Sequence, residues 1–142
     1  MSSGAAATAN AFVFVWLGMV LAISFMETPL KFRAPGVTVP VGLGIGRLVF
    51  RALNAAEAAL AVAVLATLAT GGAPAAPTAL AAAVTALLAV QVGVVRRRLT
   101  ARTDRVLAGE DLPRSRRHLA YVACEVAKVA LLIALGVAAA TS

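Results

Sequence analysis

Four apolar stretches, separated by short polar or proline-rich connections, account for most of this chain. They run from about residue 5 to 26, 43 to 70, 78 to 95 and 118 to 140. A helix of about 20 apolar residues covers the hydrocarbon core of a bilayer. The pattern therefore predicts an all-α fold, an integral membrane four-helix bundle, with residues 1–142 forming one transmembrane domain. Glu27 closes the first stretch, and Pro29 is expected to stop its helix. From Thr28 to Val41, Pro29, Pro35 and Pro40 argue against a regular helix. Lys31 and Arg33 flank Phe32 there, a pattern suited to the headgroup layer. The second helix starts near Gly42 and is longer than the hydrocarbon is thick, so Arg47 is expected to stand in the interface. The run GGAPAAP from Gly71 to Pro77 reads as an uncharged hairpin. The third helix is expected to continue beyond Arg96-Arg97-Arg98 to about Ala108, with Gly109 as its stop. A turn at Glu110–Pro113 and an N-cap at Ser115 would then lead into the last helix.

The polar positions inside these stretches are more informative than the apolar ones. At 100° per residue, Arg47, Arg51 and Asn54 share one face of the second helix, with Glu57 at its edge. His118, Tyr121, Glu125 and Lys128 form a second such face, and Gln91 lies near the end of the third span. Glu57 would sit about 9 Å and Lys128 roughly 12 Å below the same surface at 1.5 Å per residue. Charges at that depth favour pairing. The second and fourth helices are therefore expected to meet there, the Asn54/Glu57 face against the Glu125/Lys128 face. Lys128 would offer one cation to two carboxylates, Arg51 another if its side chain folds inward, and Gln91 can complete the cluster. Two readings stand side by side. Either these groups make ion pairs that fix the bundle, or Arg51, Asn54, Glu57, Gln91, Tyr121, Glu125 and Lys128 line one polar pocket.

Glu27, Lys31, Arg33, Arg47 and His118 are expected at the interface. Glu27 ends a helix where the macrodipole disfavours an anion, which calls for a partner such as Lys31 or an arginine of the second helix. His118 reads as a helix-start residue or a proton relay. Trp16, mid-span, reads as packing or lipid contact.

Composition narrows the class. Hydrophobic residues make up 61% and charged residues 13%, against a soluble average of roughly 25% charged. A net charge of +7 could suggest nucleic acid, but the basic residues punctuate apolar spans and do not form a domain of their own. No nucleic-acid partner is expected. None of the 13 Lys and Arg lies at either terminus or in the GGAPAAP hairpin. The positive-inside rule places connections 27–42 and 96–117 in the cytoplasm and both termini outside, in the cell's inner (plasma) membrane. The basic run from Arg96 would meet anionic headgroups of the membrane lipids. With one Cys and one His, a metal centre is not expected, and no cofactor is implied. Gly42 and Gly46 form a GxxxG, one possible contact for a homo-oligomer.

Several segments carry a family resemblance. They are FMETPLKFRAPG at Phe25–Gly36, the glycine-led RLVF at Arg47–Phe50, Gln91 ahead of a basic stretch, and RRHLAYVACEVAK at Arg116–Lys128. In these the chain resembles the small bacterial four-helix membrane proteins of the DUF4149 group, similar to the eukaryotic TMEM-205-type proteins. Where that group tends to carry a polar amide in its fourth helix, this chain has Glu125. The resemblance implies a membrane protein and supplies no catalytic residues. Three function classes remain open from the sequence. They are a structural or accessory membrane protein, a small oligomeric transporter or channel for protons or small ions, and an intramembrane enzyme acting on a lipid or quinone-like substrate.

Overall fold

Within each span the buried positions recur at intervals of three and four, the spacing of a helix face turned toward its neighbours. They are Ala9, Val13, Trp16 and Val20 in the first helix, and Phe50, Leu53, Glu57, Ala61, Val64 and Leu68 in the second. Pro77, Ala81, Val84, Leu88 and Gln91 occupy them in the third, and Tyr121, Glu125, Lys128, Leu132, Leu135 and Ala139 in the fourth. Glu57, Gln91, Tyr121, Glu125 and Lys128 thus stand in the same register as the core.

The computed structural model describes residues 1–109 and 116–142. Helix α1 (Ser3–Val20) begins at Ser2, whose hydroxyl accepts the Ala5 N–H at 3.1 Å. A π-helical segment (Leu21–Glu27) and a short α2 (Thr28–Lys31) continue it. Helix α3 (Val39–Thr70) is capped by Thr38 and carries Pro40 in its first turn, where no N–H is needed. Helix α4 (Ala75–Val90) runs through a second π segment (Gln91–Val95) into α5 (Arg96–Leu107). Gly109, at φ 96°, comes just after its end. Helix α6 (Arg116–Ala140) completes the chain's order. Among the described residues there is no strand. The expected Glu110–Pro113 turn and Ser115 cap lie outside the described residues. Four helical stretches are long and apolar enough to cross a membrane: Ser3–Lys31, Val39–Thr70, Ala75–Val94 and Leu119–Ala140. Their outward faces are apolar too, with Leu48 66%, Val62 68% and Leu119 63% exposed, a surface that suits lipid and not water.

One expectation fails here for a physical reason, and another holds only through side chains. Pro29 does not stop the first helix, which runs on to Lys31. The preceding turn is π-helical, and the Thr28 N–H and hydroxyl both reach the Ile23 carbonyl, the hydroxyl at 2.9 Å. The wider turn accommodates the ring where a regular α-turn would clash. The second and fourth spans do meet, Lys128 reaching Glu57, but through side chains and not along packed backbones. Helix α1 lies against α3 and α6, and α4 lies against the same two. Short connections make each helix the antiparallel neighbour of the next, and the ring closes α6 on α1. Helices α3 and α6 are therefore diagonal, and only long side chains can join them.

The Gly42/Gly46 face is occupied within the chain. A Cβ on Gly42 would collide with the Phe32 ring, and one on Gly46 would lie 2.8 Å from the Lys31 Nζ. The GxxxG seats the Phe32 and Lys31 side chains of the first connection. Gly42→Ala is expected to unseat Phe32 and destabilise the protein by about 1–3 kcal/mol, the usual cost of overpacking. Thermal melts in detergent should show part of the loss recovered in Gly42→Ala/Phe32→Ala. An unchanged melt in the single variant would show that the ring does not need this seat.

Candidate functional site

At one end of the bundle the core is apolar: Ala9, Val13, Val64, Leu68, Ala81, Val84, Leu132 and Leu135 pack together there. Toward the other end the same register delivers Glu57, Gln91, Glu125 and Lys128, all at most 2% exposed. Lys128 is the hub. Its ammonium lies 2.6 Å from Glu57 Oε1 and 2.8 Å from Glu125 Oε1. It therefore crosses the diagonal that the helix backbones leave open.

Each carboxylate is fixed by neutral donors as well. The Trp16 indole N–H donates to Glu57 Oε1 at 2.9 Å. The Gln91 amide donates to Glu125 Oε1 at 2.5 Å, and the Ser24 hydroxyl to Glu125 Oε2 at 2.6 Å. All four spans contribute: Trp16 and Ser24 from the first, Glu57 from α3, Gln91 from the third, and Glu125 and Lys128 from α6. Ser24 and Gln91 both stand in π-helical segments. A π turn inserts an extra residue and re-aims the side chains beyond it, and such turns are frequent at functional sites. Among the described residues, two oxygens of the cluster, Glu57 Oε2 and Gln91 Oε1, have no hydrogen-bond partner. Both are acceptors, so the cluster is short of donors and of positive charge: two carboxylates share one ammonium.

Beside this cluster lies a cavity of about 500 Å³. It opens between the end of the first helix, the start of α3, the start of α6 and Thr103 of α5. Glu125 and Ser24 reach it from the cluster, Tyr121 and Phe50 from its walls. Those two rings meet edge to face, 5.5 Å apart. Lys31 points into the same space. Its ammonium is 5.5 Å from the Phe32 ring centroid and 5.9 Å from that of Phe50, and 3.7 Å from Glu27. The Glu27 carboxylate thus has the lysine partner one turn on that its place near a helix end called for. Arg47 pairs with Asp104, tying α3 to α5 beside the cavity.

The structure brings together Glu57, Gln91, Glu125 and Lys128, and places Tyr121 next to them on the cavity wall. It does not bring in Arg51, which is exposed, because the α3 face buried in the core is that of Phe50, Leu53 and Glu57. Asn54 is half-buried beside that face and makes no hydrogen bond to the cluster. Arg33 is exposed. The side chain of His118 lies outside the described residues. Trp16 does more than pack: it is fully buried and donates to Glu57. Ser24 is a member of the cluster that sequence reasoning missed. The available signal was the register Ala9, Val13, Trp16, Val20, which continues one turn later to Ser24. Among the described residues no group of His, Cys, Asp and Glu could hold a metal ion. Compared with known proteins, the chain matches no family model, and no curated protein or solved structure is significantly similar to it.

Proposed function

We propose that this chain is a structural or accessory protein of the cell's inner (plasma) membrane, a small helical scaffold braced from within. The observation that carries the reading is the Lys128 network, in which one fully buried ammonium holds two carboxylates and all four spans contribute a side chain. Paired charge in a low-dielectric core fixes which helices meet and in what register. The apolar cluster beyond it, with Val13, Val84, Leu132 and Leu135 at 0% exposure, closes that end of the bundle, which favours a blind pocket over a pore. Connections 27–42 and 96–117 belong in the cytoplasm and the termini outside, because the basic residues gather in those connections. Their arginines would meet anionic lipid headgroups. The likeness to the DUF4149 group supports the same four-helix membrane class.

Single-cysteine labelling tests the orientation. In a Cys124→Ser background, Ala76→Cys and Ser142→Cys are expected to react with a membrane-impermeant maleimide in intact cells. Arg33→Cys should react only after the membrane is opened. The opposite pattern would overturn the charge-based orientation.

A further inference from the structure

The cavity differs from the buried cluster in being open and largely apolar, with four aromatic rings on its wall. Phe25, Phe32, Phe50 and Tyr121 line it, and Glu125 forms part of its wall. Aromatic faces attract cations within about 6 Å of the ring centroid, most strongly where water is excluded. The chain shows this directly, because the Lys31 ammonium lies within that range of two rings. The charges around the space are also unevenly matched. Lys31 is paired with Glu27, and Arg47 with Asp104. Glu125 shares Lys128 with Glu57, so one ammonium is divided between two carboxyl groups. The volume, about 500 Å³, falls within the roughly 300–1,000 Å³ typical of small-molecule sites.

We propose that this cavity binds a monovalent lipophilic organic cation, an amine or a quaternary ammonium, with its charge against Glu125 and its apolar body among the phenyl rings. Lys31 is then a tethered competitor that fills the aromatic seat when no ligand is bound. The proposal rests on the reading of the chain as membrane-embedded. It does not require the bracing role of Lys128, and the labelling experiment above tests the orientation separately.

The test uses two ions of matched size and opposite charge, tetraphenylphosphonium and tetraphenylborate. Each is dialysed against the full chain in lipid nanodiscs, with uptake by empty nanodiscs subtracted. Saturable binding of the phosphonium, and not of the borate, is expected. Glu125→Gln should weaken it about tenfold or more, because the attracting charge is gone. Phe32→Ala should weaken it about threefold by removing one aromatic face. Lys31→Gln should tighten it, because the competing ammonium is removed. If Glu125→Gln does not fold, the variants at Phe32 and Lys31, both outside the buried cluster, decide the matter. Saturable borate binding of equal strength would overturn the proposal. So would loss of phosphonium binding in Lys31→Gln, or phosphonium uptake no greater than that of empty nanodiscs.

Discussion

A chain carrying Lys128→Met is expected to lose about 3–5 kcal/mol of stability, the usual effect of removing one partner of a buried ion pair. Methionine fills much the same volume, so packing is nearly kept and the loss is electrostatic. What remains are two carboxylates, Glu57 and Glu125, that shared the ammonium at 2.6 and 2.8 Å and would then face each other without it. The second substitution discriminates between explanations. Glu57→Gln in the same chain removes one of the stranded charges and should recover part of the loss. Glu57→Gln alone should cost less than Lys128→Met, because Lys128 keeps Glu125 as its partner. Chemical denaturation in mixed micelles reads all three variants. If Lys128→Met melts like the parent, or if the double variant is less stable than either single one, the bracing role proposed for the network fails.

Trp16 separates packing from hydrogen bonding in the same way. Its ring is fully buried, and its N–H is one of two donors to Glu57 Oε1. Trp16→Ala leaves a cavity and an under-donated carboxylate together, and about 3–5 kcal/mol is expected, the range for large aromatic truncations in a core. Trp16→Phe keeps most of the ring and removes only the donor. Its expected cost is about 1–3 kcal/mol, that of a buried acceptor losing a partner. In a Glu57→Gln background the Trp16→Phe cost should shrink, since a neutral amide oxygen demands less of its donor. Equal costs in the two backgrounds would mean that the indole acts only as filler.

The four spans were legible because length and hydropathy alone decide them. That Glu57, Glu125 and Lys128 lie at one level of the bundle was legible too, since counting residues along each helix sets the level. Azimuth was not. Helical-wheel arithmetic placed Arg51 and Asn54 with Glu57, whereas the core face of α3 passes through Phe50, Leu53 and Glu57. A face drawn from polar residues alone found the edge of the core and missed its centre. The 3-4 spacing of apolar positions around Glu57 would have corrected it. The diagonal arrangement of α3 and α6 comes from connectivity, and polarity matching cannot reveal it. Pro29 misled because a stop signal assumes α-geometry before it, and a π turn changes what a proline meets. The GxxxG at Gly42 and Gly46 reported a close approach correctly, but what approaches is Phe32 and Lys31 of the same chain.

The chain has a single tryptophan and a single tyrosine. Trp16 donates to a carboxylate of the Lys128 network, and Tyr121 stands on the wall of the adjoining cavity. Almost all the near-ultraviolet absorbance of the protein therefore arises at these two places. The indole is a sensitive fluorophore whose emission shifts with the charge beside its ring. Light emitted by the unmodified protein is thus a local readout of its buried charges, with no label attached. Any ion, proton or lipid that rearranges Glu57 should be visible first as a change in colour.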